Sequence, residues 1–181
     1  MPETPRSIDR HRFTPSDKLL LDANIWLFIY SPQYRPTDRR AKVYSTALKY
    51  MLEARSTILI DAMILSEFVN VLARLAYNTL PAAQRPSDFK KFRNGSSFKT
   101  TAASIADSCN RILQVVTRIE SGFTSCDPAD LIHRYQAGRS DFNDLLLAHT
   151  CKTEALTLVT DDVDFARSGL TILTANAKLL R

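Results

Sequence analysis

Short apolar runs alternate along this chain with longer segments that have helical periodicity. The clear runs cover residues 19–21, 57–60, 155–159 and 170–173. Short, largely apolar runs of this kind are typical of strands buried on both faces, as in a parallel sheet. Residues 118–124 form a weaker candidate strand, because Gly122 interrupts them.

The segments between these runs predict helices over residues 25–30, 37–54, 63–77, 98–117, 128–136 and 142–153. The helix over 63–77 carries an apolar stripe, formed by Ile64, Phe68, Val71, Leu72 and Leu75. The expected N-caps are Asn24 for the first helix, Thr37 or Asp38 for the second, and Ser140 or Asp141 for the last.

The remaining segments are polar. Residues 1–17 predict a loose N-terminal arm, residues 31–36 a turn, and residues 87–96 a basic, weakly patterned connection with a turn at Asn94-Gly95. A short helix is expected after the last strand. Strands that alternate with helices indicate an α/β protein, here one domain over 18–181 with a parallel sheet and helices on both faces.

Acidic residues follow the predicted strands or begin the helices next to them. In open α/β sheets this edge, beyond the carboxyl ends of the strands, is where ligands bind. The residues concerned are Asp22, Glu67, Asp141, Asp144, Asp161, Asp162 and Asp164. Right-handed crossovers should bring them toward one another.

Carboxylates gathered in one place repel each other unless a cation lies between them. Oxygen ligands suit the hard ions Mg²⁺ and Mn²⁺, which can activate water and stabilise charge at phosphorus. His11, His133 and His149 are not spaced as a zinc site, and the sequence has no glycine-rich phosphate loop and no serine nucleophile elbow.

Each acid also has a purely structural interpretation. Asp22 could end a strand, Glu67 could pair with Arg74, and Asp141 could be an N-cap. Asp144 could be stabilised by the helix dipole. Among Asp161, Asp162 and Asp164, at least one should be only a turn or cap residue. The group as a whole therefore carries more weight than any member.

The net charge of +5 is unevenly spread. Residues 85–118 and 35–49 are rich in Lys and Arg, which favours a polyanionic partner, although a solvated helix face explains the charge equally well. Lys90, Lys91 and Arg93 are the candidate contacts to such a partner. The three scattered cysteines, Cys109, Cys126 and Cys151, favour reduced thiols and a cytoplasmic location. We expect no signal peptide and no membrane span.

Four segments resemble, in order and spacing, the acidic motifs of PIN domains. They are Leu-Leu-Asp22-Ala-Asn24-Ile-Trp, Ser66-Glu67-Phe-Val-Asn70-Val-Leu, Asp141-Phe-Asn-Asp144-Leu-Leu-Leu-Ala and Leu-Val-Thr160-Asp-Asp162-Val-Asp-Phe165. The resemblance covers about residues 18–175. It implies a three-layer α/β/α fold with a five-stranded parallel sheet, and a Mg²⁺- or Mn²⁺-dependent ribonuclease.

By position the resemblance implies that Asp22, Glu67, Asp144 and Asp162 are the metal ligands and catalytic acids, with Asp141 as an additional one. Asn24 stands where the family usually has Thr or Ser, and it is expected, with Thr160, to support the acids. The implied substrate is RNA.

Many short bacterial PIN domains are toxins, so an antitoxin partner is expected here. The chain is longer than those toxins, which leaves open an RNA-processing nuclease or a catalytically silent RNA- or protein-binding module. A phosphorylated receiver or phosphatase domain is disfavoured because no lysine follows the fourth strand before Lys178. The helix over 63–75 could form a homodimer interface, although it is better suited to the core.

Overall fold

The computed structural model describes residues 4–32, 34, 37–138 and 140–181. Its centre is a sheet of six parallel strands in the order β1-β6-β5-β2-β3-β4. The strands are β1 (Arg6–Ser7), β2 (Lys18–Leu21), β3 (Thr57–Ile60), β4 (Thr117–Arg118), β5 (Thr157–Val159) and β6 (Ile172–Thr174).

Seven α-helices lie in the described part of the chain: α1 (Ala23–Tyr30), α2 (Arg39–Glu53), α3 (Ala62–Thr79), α4 (Phe89–Asn94), α5 (Phe98–Leu113), α6 (Pro128–Gln136) and α7 (Phe142–Thr153). Helix α1 contacts α2 and α3, α3 also contacts α4 and α5, and α6 contacts α7. The prediction of an α/β fold with a parallel sheet flanked by helices is therefore confirmed.

The apolar runs that predicted the strands are buried as expected. Leu20 of β2 lies between Leu59 of β3 and Leu158 of β5, and all three side chains are buried. The apolar stripe of α3 supplies Ile64, Phe68 and Leu72 to the same core. Helix α3 therefore contributes its apolar side to the core.

The sixth strand comes from the segment that was expected to be a loose arm. Arg6 and Ser7 pair with Leu173 and Thr174 of β6, and Ile8 is buried in the main core. One apolar side chain in a polar segment gives no periodicity, and a two-residue strand gives none either. The sequence pattern therefore did not indicate this strand.

Residues 87–96, predicted as an irregular connection, contain helix α4 instead. Asp88 caps this helix by accepting a hydrogen bond from the Lys91 backbone N–H at 2.8 Å. Phe92 is buried against the rings of Tyr77, Phe89 and Phe98. These aromatic contacts are spread over three helices, so no local pattern of apolar residues predicts them.

Other boundaries also differ from prediction. Helix α5 ends at Leu113 rather than near 117, and β4 is limited to Thr117–Arg118 rather than 118–124. No helix follows β6 in residues 175–181, all of which the structure describes. The predicted turn at 31–36 lies partly outside the described residues. No described helix is both long and apolar enough to cross a bilayer.

We predict that Ile8→Ala lowers the free energy of unfolding by about 2–3 kcal/mol, because it removes a buried side chain from the core. Ile132→Ala is the matched control, since Ile132 of α6 is 50% exposed and its truncation should cost less than about 0.5 kcal/mol. Urea unfolding of the two variants measures both values. Equal stabilities would mean that residues 6–8 are not part of the cooperative unit.

Candidate active site

The site begins where β2 and β5 end side by side. Leu21 is in register with Val159, so the next residues, Asp22 and Thr160, are neighbours at the carboxyl edge of the sheet. The Asp22 backbone N–H donates to the Val159 carbonyl at 3.0 Å and extends this pairing by one residue. Two chain segments far apart in sequence are thereby fixed against each other.

The Asp22 carboxylate is only 8% exposed, and it is held by two side chains. The Thr160 hydroxyl donates to Asp22 Oδ2 at 2.6 Å, and the Asn24 amide donates to the same oxygen. The Thr160 oxygen in turn accepts from the Asn24 amide at 3.2 Å and from the Asp162 backbone N–H at 3.1 Å. The buried hydroxyl thus links the residues on both strands.

The prediction that Asn24 is the N-cap of the first helix is wrong. Backbone N–H groups of Ile25 and Trp26 donate to the Asp22 carbonyl, so α1 begins at Ala23 and Asp22 occupies the cap position. Asn24 lies within the helix, and its side chain bonds Asp22, Thr160 and the Asp161 backbone N–H. The hydrogen bond expected from this position to the first acid is present.

The three aspartates after β5 divide into different environments. Asp161 is turned toward α2, where it accepts from the Tyr44 hydroxyl at 2.8 Å and pairs with Arg40 at 2.9 Å. Asp162 caps the short 3₁₀ helix over Val163–Arg167 by accepting from the Asp164 N–H. The cap residue expected among these three aspartates is therefore Asp162, whereas Asp161 is held by an ion pair and a hydrogen bond to α2.

Asp141 and Asp144 lie at the start of α7. Asp141 is the N-cap, and its Oδ1 accepts from the Asp144 backbone N–H at 2.8 Å. Asp144 is half-buried, and its carboxylate accepts no hydrogen bond from the described residues. The structural interpretation of Asp141 as a cap therefore holds, while Asp144 is left without a capping role.

Glu67 lies on the polar side of α3, with Asn70 and Arg74 following it. These three side chains and Asn143 of α7 line a cleft of about 410 Å³. Asp61, which begins α3, is instead an N-cap that accepts from the Ile64 N–H at 2.8 Å. Glu67 is thus the acid that α3 contributes toward α7.

Electrostatic coupling shows that the predicted acids lie near one another. The pKa of Asp144 is raised to about 7, first by loss of hydration and then by the charges of Asp141, Asp162, Asp22 and Asp164. The pKa of Glu67 is raised by loss of hydration and by the charges of Asp22, Asp141 and Asp162. Burial also raises the pKa of Asp22, against the hydrogen bond from Thr160. Asp144 and Glu67 are thus each near enough to Asp22, Asp141 and Asp162 for the charges of these three acids to raise their pKa values.

The donor set fits a hard divalent cation, since it consists of carboxylate oxygens, and repulsion among them adds to the burial that raises the pKa of Asp144 and of Glu67. In the described part of the chain, no three acidic, histidine or cysteine side chains are already arranged tightly enough to hold an ion. Binding would therefore require the carboxylates to draw closer around the metal.

No pattern in the sequence indicated that two arginines lie near the acids. Arg134 of α6 and Arg167 after β5 line a cleft of about 820 Å³ together with Asp144, Asp164 and Phe165. Arg134 makes a long ion pair with Asp130 at 3.9 Å, whereas no described residue pairs with Arg167. Only the packing of α6 against α7 places Arg134 beside the acids.

The candidate RNA contacts, Lys90, Lys91 and Arg93, lie on α4 and outside the acid cluster. The polar side of α3 nevertheless extends toward them, because Arg74 lies seven residues after Glu67 on this helix, roughly 10 Å away by helical rise. The Arg74 guanidinium lies over the ring of Phe89 in α4, at 4.9 Å. Helix α4 thus lies at the end of the Glu67 side of α3.

The model of the PIN domain family matches residues 19–169. The chain therefore belongs to the PIN domain family. A comparison with curated protein sequences gives no significant match.

Solved structures share this fold at low sequence identity. VapBC2 from Rickettsia felis, a structure with a bound DNA fragment from its promoter, matches with a TM-score of 0.53 and 15% identity over 87% of this chain and 98% of that one. PAE2754 from Pyrobaculum aerophilum matches with a TM-score of 0.50 and 16% identity over 99% and 97% of the two chains.

We predict that Asp144→Asn raises the stability of the metal-free protein at pH 8 by about 1–2 kcal/mol. The carboxyl has a pKa of about 7 when folded and 3.8 as its ordinary value, so the folded protein holds the extra proton between these values. Raising the pH through this window therefore destabilises the parent, and the cost is complete above pH 7. The variant lacks this cost and should lose less stability from pH 4 to pH 8.

Urea unfolding in EDTA at several pH values measures this difference. Asp107→Asn, which removes the same charge from an exposed position on α5, is the control and should change little. If Asp144 serves only the helix dipole, Asp144→Asn will instead lower stability by roughly 0.3–1 kcal/mol.

Proposed function

We propose that this PIN domain is a metal-dependent endoribonuclease that hydrolyses RNA phosphodiester bonds, most simply as the toxin of a toxin–antitoxin pair. The observation that carries the proposal is the coupling of five carboxylates at the carboxyl edge of the sheet, with the pKa of Asp144 raised to about 7. A protein has little reason to keep such repulsion unless a cation relieves it. Family membership supports the same assignment.

In this proposal Asp22, Asp144, Asp162 and Glu67 hold Mg²⁺ or Mn²⁺, and Asp141 is an additional ligand or caps α7 alone. The bound ion would activate water and offset charge on the phosphate. Hydrogen bonds from Thr160 and Asn24 fix Asp22 Oδ2, so the other oxygen of this carboxylate is the one available to a ligand. Thr160 and Asn24 are therefore positioning residues.

Besides completing the metal site, the carboxylate of Glu67 has a second part in the proposal. It lines a polar cleft, and loss of hydration together with nearby negative charges raises its pKa. A carboxylate with a raised pKa is a better proton acceptor, so Glu67 orients a water molecule and accepts its proton.

An antitoxin is the proposed protein partner. The fold match to VapBC2, a complex that binds promoter DNA, supports this choice. A nuclease of RNA processing would share the same site but would need no such partner, so co-purification with the product of a neighbouring reading frame distinguishes the two.

The proposal predicts RNA cleavage with Mg²⁺ or Mn²⁺ and none in EDTA. Asp144→Asn should abolish cleavage, because it removes a ligand, and should also remove most of the rise in melting temperature that Mn²⁺ gives the parent. Asp107→Asn should retain both. Cleavage that survives chelation would refute the metal site, and metal binding without cleavage would favour the silent binding module.

A second prediction concerns α4. Reversing the charges of Lys90, Lys91 and Arg93 should weaken RNA binding about tenfold or more at low salt and flatten its salt dependence, if these residues contact phosphates. The control reverses Lys18, Arg55 and Lys152, which we call the amino-edge set because they lie at or near the starts of β2, β3 and β5. Equal effects of the two variants would assign α4 to the solvated surface.

A further inference from the structure

The N-terminal segment forms one wall of a third cleft, at the carboxyl edge of the sheet. This cleft has a volume of about 740 Å³ and lies between residues 6–12, the start of α2 and the segment after β6. Its charged lining residues are Arg6, Arg10, Arg12 and Arg39, with Asp9 as the acid among them.

The charge of this cleft is available to a ligand. Arg10, Arg12 and Arg39 are exposed, and none of their side chains makes a hydrogen bond or an ion pair within the described residues. His11 also lines the cleft, but its ring is bound to Asp17 at 3.2 Å. We call Arg10, Arg12 and Arg39 the cleft arginines.

The backbone that carries these arginines is fixed to the domain. Strand β1 pairs with β6, and Ile8 is 2% exposed in the core. The His11–Asp17 contact and the hydrogen bond from the Thr14 N–H to Asp17 at 2.8 Å hold the segment that follows. The arginines therefore extend from a defined surface.

The cleft is close to the acid cluster along the same edge. Strand β6 lies between β1 and β5, so the end of β1 is two strand spacings, roughly 10 Å, from the end of β5. Ala175, the residue after β6, lines the cleft, and Thr160 and Asp162 follow β5. An extended polyanion can therefore span both places.

We propose that the cleft arginines bind backbone phosphates of the same RNA strand that enters the acid cluster. Arginine guanidinium groups match phosphate oxygens in a bidentate geometry. The other lining residues include Ala175, Ala177 and Leu180, which offer no hydrogen-bonding side chains to bases. We therefore assign the contacts of the cleft arginines to phosphates rather than to bases. This inference rests on the proposed function in one respect, namely that the bound RNA strand is also the one that is cleaved.

The first test is binding in EDTA, which needs no catalysis. Changing the cleft arginines together to Gln should weaken binding of a single-stranded RNA of about twelve nucleotides at least tenfold, and should reduce the slope of log K against log salt by about 2. The matched control changes the amino-edge set to Gln, which removes the same charge from the opposite edge, and should alter the affinity less than about twofold. Thermal melts should show that both variants fold.

The second test compares substrate lengths with Mn²⁺ present. A dinucleotide spans the acid cluster alone, so the cleft variant should cleave it at the parent's rate. With the longer RNA, its KM should rise about tenfold while kcat stays constant, since the lost contacts lie away from the reacting phosphate.

The outcomes separate the two assignments. If the parent cleaves nothing but the cleft variant still loses RNA binding, the cleft stands and the nuclease proposal fails. If the parent cleaves RNA and the cleft variant matches it in binding and KM, the cleft is overturned and the nuclease stands. The cleft assignment is also overturned if the cleft variant and the control variant lose RNA affinity equally. It is likewise overturned if the cleft variant loses affinity only for duplex DNA of the same length.

Discussion

The hydrogen bond from Thr160 to Asp22 is the interaction on which the candidate site depends. A carboxylate that is 8% exposed at the end of a buried strand loses most of its hydration, and without donors this would cost several kcal/mol. The Thr160 hydroxyl supplies one donor at 2.6 Å and accepts the Asp162 N–H at 3.1 Å. One side chain thus stabilises the first acid and sets the backbone that carries the fourth. Because β2 and β5 are adjacent, this contact is as rigid as the sheet.

The other acids differ in the partners that hold them. Asp161 pairs with Arg40 and accepts a hydrogen bond from Tyr44, and Asp61 and Asp141 accept backbone hydrogen bonds as N-caps. Asp144 has no such partner among the described residues, and its pKa rises accordingly. The fold therefore places the unrelieved electrostatic energy at Asp144 and Glu67. Functional sites commonly keep unfavourable energy of this kind, which the surrounding core offsets.

Sequence patterns predicted the parts of this structure that depend on local physics. Three-residue to five-residue apolar runs identified the central strands, and their order in the chain placed the acids at one edge. Two features escaped prediction because they depend on distant contacts: β1 exists only by pairing with β6, and α4 only because Phe92 packs on Tyr77 and Phe98. The cap of α1 was misassigned because Asn24 suits an N-cap equally well, and its contacts with Thr160 and Asp161 join residues that are far apart in the sequence.

The distance between the acid cluster and the cleft arginines has a physical explanation. A polyanionic substrate must approach a cluster of negative charges, so the protein needs positive charge that the acids do not neutralise. A cation within contact distance pairs with a carboxylate, as Arg40 does with Asp161 at 2.9 Å. Arg10 and Arg12 follow β1, whose end lies roughly two strand spacings from the end of β5, near the screening length of about 8–10 Å at physiological salt. At that distance they can attract a nucleic-acid backbone while leaving the carboxylates free for a metal. The edge strand that local patterns could not predict is what holds Arg10 and Arg12 at this spacing.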